Sequence, residues 1–353
     1  MIAYTALSDF LLYLVMAFLT GAIALEFVPD GRKPEIRITG RQKMVAAAFI
    51  PVLAAAPVVQ LAIMLAPAGE RLSAFLDIAA RFRAGHTFLA IVVLAVLLIA
   101  AIGFRANASI QAVLMALAFI AIAYGSHSAS THGQPGLTGH AVHLAVLSVW
   151  AGILLIIAWR PSETMNWRAF IRWFTPFSVV LMAIIIGTGI FLMLFVVRAD
   201  DYASSWMLPY GQMLLLKHLS ILPLLAAALV NGFLLRSERP VMHWLKTESL
   251  LLGFVLLFTA FMSKLAPPHD VNSTFAREGA APLAEWLSGP AGSSIRARLD
   301  PNPEGLLILV IATLLLLLLL IGGRRELPKW LVAAAGIGFI AAAYAGLMMV
   351  TAF

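Results

Sequence analysis

Cysteine is absent from this 353-residue sequence, and charged residues make up only 12% of it. Without cysteine, the chain cannot bind a metal through thiolates, attach haem through thioether bonds or form disulfides. The low charge excludes an ordinary soluble domain, in which about 25% of residues are charged. Hydrophobic residues reach 62%, and they occur in runs of about 20 residues, the length that crosses a hydrocarbon core of roughly 30 Å. The composition therefore predicts an all-α, polytopic transmembrane helix bundle.

The apolar runs predict ten membrane spans, an eight-span core followed by two C-terminal spans. We assign the core to residues 1–268, a long Pro-, Gly- and Ser-rich outer loop to 269–304, and a helix pair to 305–353. The loop is either a partly ordered lid or a linker. A tight turn around Arg105–Asn107 separates the third and fourth spans, and residues 68–84 form an amphipathic stretch, either an interfacial helix or an extension of the third span. The predicted spans are 5–27, 43–65, 85–104, 108–125, 139–159, 170–197, 212–235, 248–266, 305–322 and 330–350.

Basic residues set the predicted orientation. With the N-terminus outside, the short inner loops collect 15 of the 24 Lys and Arg residues, and the outer side collects 8. This bias follows the positive-inside rule, so the net charge of +7 indicates orientation in a lipid bilayer rather than nucleic-acid binding. The absence of basic residues before the first apolar run favours a first span over a cleaved signal peptide. Its basic residues come afterwards, at Arg32, Lys33, Arg37, Arg41 and Lys43.

Histidines concentrate on the predicted outer side. The stretch from Tyr124 to Trp150 holds four of the eight, in a polar Gly-, Ser- and Thr-rich hinge and in the helix that follows it. His140 and His143 fall in the first turn of that helix, and their i, i+3 spacing places both imidazoles on one face. Only His243 is predicted to lie inside. The outer histidines are His86, His127, His132, His140, His143, His218 and His269.

This one-sided group of imidazoles predicts a metal site. Neutral imidazole suits copper, zinc, nickel and iron, and thioether sulfur selects Cu(I). Met207, Met213 and Met262 lie near the same side, although most Met residues in an apolar chain serve packing. A single His at an interface is ordinarily hydrogen-bonded to backbone, so the hypothesis depends on the group in the hinge and its helix.

Two polar side chains, Lys217 and Asn231, lie within the seventh predicted span. A cation at the centre of a membrane helix costs about 2.5–3.5 kcal/mol on insertion scales. Lys217 therefore reaches the outer interface, pairs with an acid such as Asp200 or Asp201, or serves a cavity. Because it adjoins His218, it is also a candidate gating or proton-linked residue, together with Asn231.

Two runs resemble the signatures of a known family. GHAVHLAVLSVWAG (Gly139–Gly152) and YGQMLLLKHLSILPLLAAALVNGFLL (Tyr210–Leu235) are similar to the two markers of the copper resistance D (CopD/PcoD) family, whose domain also forms the membrane part of YcnJ-type proteins. The resemblance covers about residues 1–268. It implies copper handling in the bacterial inner membrane, described as uptake from the periplasm, and a separate soluble periplasmic copper-binding partner. The matching positions are His140, His143, Trp150, Gly152, Gly211, Lys217 and Asn231.

Three functions fit these observations. The first is a copper transporter without enzymatic activity, which takes copper up from the periplasm through the outer histidines. The sequence contains no P-loop or phosphorylation motif that would support ATP-driven pumping. The second is a membrane oxidoreductase that binds haem b; His140 and His143 share a helix face, so one of them would need His86 or His218 as the other axial ligand. The third is a copper-binding or docking protein that does not translocate the metal.

Overall fold

The described part of the chain is a helix bundle with only two short strand pairs, which confirms the predicted all-α class. The computed structural model describes residues 2–163, 166–234, 242–292, 294–322 and 327–353. The chain divides into two compact units, Met1–Phe195 and Val196–Phe353. Four arginines that were assigned to inner loops lie outside the described residues, namely Arg236, Arg239, Arg324 and Arg325.

The elements follow one another as helices with short connections. The described helices of the first unit are α1 (Ile2–Glu26), α2 (Gly40–Ala54), α3 (Ala56–Leu65), α4 (Arg71–Arg81), α5 (Arg83–Gly103), α6 (Ala108–Tyr124), α7 (His127–Trp159) and α8 (Trp167–Leu194). Those of the second unit are α9 (Pro209–Leu229), α10 (Met242–Met262), α11 (Val271–Glu278), α12 (Pro282–Ser288), α13 (Pro303–Gly322) and α14 (Lys329–Met349). The strands are β1 (Glu35–Ile36), β2 (Pro161–Glu163), β3 (Arg298–Leu299) and β4 (Thr351–Ala352).

The chain is a multi-pass membrane protein. Nine helices in its described part are long and apolar enough to cross a membrane, with α2 and α3 counted as one span. α6 is equally apolar, but its 17 residues rise only about 25 Å at 1.5 Å per residue. The tight turn before α6 is present, with Arg105 at a left-handed φ of 54° and the Asn107 side chain accepting the Ile110 N–H. Each of the ten predicted spans therefore coincides with an apolar helix.

Two segments differ in detail from the sequence prediction. The second span consists of α2 and α3 rather than one helix, with Pro51 before the junction and Pro57 after it. Proline lacks a backbone donor and clashes with the preceding turn, which interrupts a helix. The amphipathic stretch 68–84 contains a separate helix, α4, and does not extend the third span, because Phe82 is extended with φ −100° and ψ 151°.

α1 is the centre of the first unit and packs against α7, α2 and α6. Its Met16 and Leu19 side chains are buried in this core. The closest approach is to α7, where a Cβ on Gly21 would lie 2.3 Å from the carbonyl carbon of Gly152. Because neither residue has a Cβ, the two backbones touch, as small residues allow in membrane helix pairs. The Gly152 of the first sequence signature therefore has a packing role.

A buried polar cluster joins three helices at the predicted inner end of the first unit. Lys43 of α2 donates to the Glu26 carboxylate of α1 at 2.5 Å and to Oε1 of Gln111 of α6 at 2.9 Å. The Lys43 side chain is only 8% exposed. A buried ammonium group requires such partners, so Lys43, which was assigned to an inner loop, belongs to the folded core.

The inner end of α8 is attached to the turn that follows α1. Trp173 Nε1 donates to the Arg32 carbonyl at 2.8 Å, and Asn166 Nδ2 donates to the Asp30 carbonyl at 3.2 Å. β1 and β2 pair antiparallel in the same unit. These contacts position α8 along α7, which matters for the histidines described below.

In the second unit, α9 packs against α10 and α14. Gln212 of α9 donates to the Tyr344 hydroxyl of α14. A Cβ on Gly336 of α14 would lie 2.9 Å from the Leu251 side chain of α10. The last two spans thus pack on the helices that precede them, and the division of the structure after Phe195 does not coincide with the assigned boundary after residue 268.

The segment 267–304 is largely ordered. It contains α11 and α12, and the Ala281 N–H donates to the Met207 carbonyl at 2.8 Å. The Ala297 N–H donates to Ser204 Oγ at 3.1 Å, and β3 pairs antiparallel with β4 near the end of the chain. The segment therefore covers the 3₁₀ turn Ser204–Met207 that precedes α9.

Candidate metal site

α7 carries four of the predicted ligands, and a backbone break divides it. Gly133 has φ 57° and ψ −133°, a conformation that residues with a Cβ rarely adopt, and Pro135 follows. The first segment begins at His127, where the Ser126 side chain accepts the Ala129 N–H as an N-cap. The hinge is therefore helical on both sides of Gly133. His140 and His143 follow the break by two to three turns instead of lying in the first turn.

The orientation of His143 is set by α8. Nδ1 of His143 lies 2.9 Å from Oγ1 of Thr188. The Thr188 hydroxyl already donates its single hydrogen to the Ile184 carbonyl at 2.6 Å, so His143 is the donor in this pair. A neutral His143 then carries its lone pair on Nε2. This arrangement, in which one ring nitrogen donates to a neighbour and the other is left basic, is the usual one for metal-binding histidine.

Two glycines bring α7 and α8 together at this point. A Cβ on Gly139 would lie 2.9 Å from the Phe191 ring, and a Cβ on Gly189 would lie 3.4 Å from Cε1 of His143. The His140 ring is half-buried, with its Nδ1 atom shielded from solvent. His143 therefore lies against α8, and His140, one turn earlier on α7, is partly enclosed.

The two histidines before the break, His127 and His132, lie at the N-terminal end of α7. His132 stacks on Phe195, with ring centroids 4.1 Å apart and planes 8° from parallel. Its Nδ1 is 2.8 Å from Thr131 Oγ1, and that hydroxyl donates to the His127 carbonyl at 2.9 Å. Because the Thr131 hydroxyl has already donated its single hydrogen, His132 donates from Nδ1, and the neutral form of His132 has a basic Nε2. The His127 side chain is exposed.

His86 lies where α4 meets α5. Its Nε2 is 2.9 Å from the Ala80 carbonyl; because a carbonyl only accepts, Nε2 carries a hydrogen. Arg83 donates to the Tyr124 carbonyl at 2.6 Å, and a Cβ on Gly125 would lie 2.6 Å from Thr87 Oγ1. The turn that bears His86 therefore packs against the connection between α6 and α7.

The second unit holds the remaining predicted ligands. Nδ1 of His218 is 2.7 Å from the Tyr202 hydroxyl, and burial raises the pKa of Tyr202 to about 12, so the phenol stays protonated at neutral pH. His269 is exposed and directly precedes Asp270, the N-cap of α11. Met207, one of the candidate thioethers, is buried beneath α12, where Ser288 Oγ lies 3.7 Å from its sulfur.

Lys217 is half-buried on α9. Among the described residues it forms no ion pair, and Asp201 instead lies 3.9 Å from Arg198. Gly211, the neighbouring signature glycine, has a packing role, because a Cβ there would lie 1.8 Å from the Ser205 carbonyl oxygen. The contact holds the first turn of α9 against the turn that precedes it.

Asn231 has a partner that sequence reasoning missed. Its Nδ2 donates to the Glu248 carboxylate at 2.5 Å, and Glu248 is 5% exposed. This pair was missed because the sequence prediction started the eighth span at residue 248, whereas α10 begins at Met242. The earlier start moves Glu248 from the helix end to its second turn.

The predicted ligands do not form one cluster in the described part of the chain. No three His, Asp or Glu side chains there are grouped closely enough to hold a metal ion. In the first unit, His143 contacts Thr188 of α8, His132 stacks on Phe195, and His86 lies at the α4–α5 junction. Together the imidazoles resemble a series of separate positions more than one preformed coordination sphere.

Comparison with known proteins finds a family match for part of the chain. Residues 168–262 match the family model of copper resistance protein D. These residues are therefore similar to the copper resistance protein D family. The copper resistance protein D match covers α8, α9 and α10, and so includes Thr188, Lys217, Asn231 and Glu248. The first signature run, with His140 and His143, precedes the matched residues.

One curated relative agrees with this family. Over 198 residues the chain is 27% identical to the copper transport protein CutJ of Bacillus subtilis (strain 168). The aligned part covers 53% of this chain and 34% of that relative, so the chain spans about a third of the length of the protein it matches. No solved structure is significantly similar to the chain.

Proposed function

We propose that this chain moves copper across the bacterial inner membrane, inward from the periplasm, without catalysing a reaction. His140 and His143 are the main ligand pair for the transported ion. The other outer imidazoles receive copper from the periplasm and offer it further positions, at His86, His127, His132, His218 and His269. A separate soluble periplasmic protein delivers the copper.

The observation that carries the proposal is the contact between His143 and Thr188. It joins a signature histidine of α7 to a residue of α8 that lies within the copper resistance protein D match. The contact also orients the ring and leaves the basic nitrogen on Nε2 in the neutral form, which suits copper. The name of the relative, a copper transport protein, supports the same cargo.

The local geometry favours binding that is reversible. His140 and His143 supply two imidazoles from one helix face, and among the described residues no third His, Asp or Glu side chain clusters with them. A site with few protein ligands holds copper less firmly than a closed structural site, so the ion can leave for the next position. Such exchange is what transport requires.

Copper flux into proteoliposomes of the purified full chain tests the proposal. We expect substitution of both residues, His140→Ala with His143→Ala, to lower copper uptake at least about tenfold, the lower end of the effect seen when metal-site partners are removed. His243→Ala is the matched control, since it removes the one histidine predicted to lie on the inner side and should leave uptake unchanged.

Each alternative function gives a different result in the same preparation. Copper uptake that persists unchanged in the double variant would contradict the proposed ligand pair. Binding of copper by the unsubstituted protein without flux would indicate a docking protein. A Soret band in the absorption spectrum of the purified protein would indicate haem b and an oxidoreductase.

A further inference from the structure

A buried carboxyl group lies at the predicted inner end of the α9–α10 pair. Glu248 is in the second turn of α10, and its side chain is 5% exposed. Trp244 and Leu245 one turn before it, and Leu251 and Leu252 one turn after it, are also buried. An acid inside a membrane helix is costly to keep, and acids that persist there usually have a functional role.

Glu248 has only a neutral partner in the described part of the chain. Asn231 Nδ2 donates to its Oε2 at 2.5 Å, and no ion pair among the described residues includes Glu248. A buried charged group that is stabilised for structural reasons is normally paired with an opposite charge, as the buried Lys43 ammonium is with Glu26 in the first unit. A single amide partner can accompany either the charged or the protonated carboxyl group, since Asn also has a carbonyl acceptor.

The backbone that carries Asn231 is irregular. Residues Val230–Leu234 form a π-helical turn at the end of α9. Such turns insert an extra residue into a helix and occur frequently at functional sites. Here the turn supplies the Asn231 side chain that reaches α10, so the irregular segment and the buried acid form one local arrangement.

Other titratable groups lie on the elements near this end of α10. His243 and Lys246 are on α10 itself, and Lys217 and His218 are on α9, with Asn231 13 residues after His218, about 20 Å along a helix. Lys329 opens α14, but its side chain lies outside the described residues. The charged residues of the stretch between α9 and α10 also lie outside them, namely Arg236, Glu238 and Arg239.

We propose that Glu248, positioned by Asn231, is a proton-binding site that couples proton movement to copper transport. The inference rests on the proposed function and adds that the proton is the ion that drives copper transport. In one state the Glu248 carboxylate accepts the Asn231 amide hydrogen; in the other it has taken up one proton from water and is a neutral acid. No electron transfer or covalent step is involved. Oxygen and amide groups suit a proton better than soft copper ions, so copper and the proton use different positions in the chain.

Glu248→Gln separates this role from a structural one. The amide has the shape of the protonated acid and can still bond to Asn231, but it cannot gain or lose a proton. In proteoliposomes with an imposed pH gradient, we expect the gradient to change copper uptake at least about threefold in the unsubstituted protein and to have no effect in Glu248→Gln. Glu304→Gln, at an exposed acid that opens α13, is the matched control and should respond like the unsubstituted protein.

Infrared difference spectra of the purified protein between two pH values give a second measurement that needs no transport. We expect a carboxylic acid C=O band that shifts when Asn231 is replaced by Leu and is missing in Glu248→Gln. A gradient response in Glu248→Gln equal to that of the unsubstituted protein would overturn the proposal, and so would a spectrum in which the variant keeps the band. If the unsubstituted protein shows the band but moves no copper, the proton site stands and the proposed function fails.

Discussion

The α7–α8 pair and the α9–α10 pair both carry signature residues, but they distribute their polar groups differently. In α7–α8, the described histidines and Thr188 lie toward the predicted outer half, and further along α7 the backbone touches α1 at Gly152. In α9–α10, polar groups occur at both ends, with His218 and Tyr202 near one and Asn231 and Glu248 near the other. Under the proposed function, copper would be captured at the outer end of α7–α8, whereas α9–α10 has polar groups near both of its ends.

The two pairs also differ in what their signature glycines contact. Gly152 allows contact between two long helices, whereas Gly211 allows contact with a short 3₁₀ turn that the 267–304 segment covers. The contact at Gly152 holds α1 against α7 in the core of the first unit. The contact at Gly211 holds the first turn of α9. Substitutions in the two pairs should therefore affect stability, copper binding and local order to different extents.

The largest effect is expected at Gly152. A Cβ there would lie 1.9 Å from the Ala17 carbonyl oxygen, so Gly152→Ala forces α1 and α7 apart and should lower the free energy of unfolding by about 3 kcal/mol, the upper end for overpacking. Thermal unfolding of the purified protein in detergent measures this. Gly187→Ala on α8 is the matched control, because a Cβ there meets nothing within 4 Å; equal losses in both variants would contradict the packing role.

Lys43→Ala should have the next largest effect. Breaking a buried ion pair costs about 3–5 kcal/mol, but Glu26 is 40% exposed, so we expect about 2 kcal/mol in the unfolding free energy. Arg37→Ala serves as the control, since its pair with Glu35 is mostly exposed and such pairs contribute about 0–1 kcal/mol. A Lys43→Ala protein as stable as the control would show that the cluster does not hold α1, α2 and α6 together.

Thr188→Val tests the first helix pair for copper binding. Valine keeps the shape of threonine but cannot accept the Nδ1 hydrogen of His143, so copper affinity should fall about tenfold, the lower end for a lost ligand partner. Titration of the purified protein with copper measures the affinity. Thr188→Ser should restore it; an affinity that Thr188→Val leaves unchanged would mean that His143 is not a ligand.

The smallest effect is expected at Asp270 in the outer segment of the second unit. The Ser273 backbone N–H donates to its carboxylate at 2.6 Å and lowers its pKa. A lowered pKa means that the cap stabilises α11 above the unfolded value of about 3.9 and is lost as pH falls through the folded value. Amide exchange in α11 should therefore rise at low pH, by at most about tenfold.

Asp270→Asn gives the control for that pH dependence. Asparagine also caps helices but does not titrate in this range, so exchange in α11 should lose its extra rise below about pH 4. A rise that persists in Asp270→Asn would assign the pH dependence to another group.

Much of the fold could be predicted because a membrane imposes length and apolarity on every span. Composition and spacing predicted the ten apolar runs, the turn at Arg105 and the amphipathic stretch before α5. Helix breaks were harder. The interruption at Gly133 depends on a φ of 57°, which the sequence Gly-Gln-Pro permits but does not require.

The candidate site was predictable in its residue types and not in its partners. His140 and His143 were identified by their i, i+3 spacing, whereas Thr188 lies 45 residues after His143 and carries no local signal of a contact. Glu248 was missed for a different reason. It was placed at a helix end, where an acid is ordinary, and it became notable only when α10 began six residues earlier than expected.

By itself, the sequence determined that the chain is a multi-pass helical membrane protein, that its histidines concentrate toward one predicted side, and that it resembles a copper resistance family. These properties follow from composition and short-range spacing, which helices preserve. The tertiary structure decided which ring nitrogen of His143 donates, that the buried Lys43 side chain pairs with Glu26, and that Asn231 meets Glu248. Each of these depends on two helices approaching within hydrogen-bond distance, and that distance is set by packing between residues far apart in the chain.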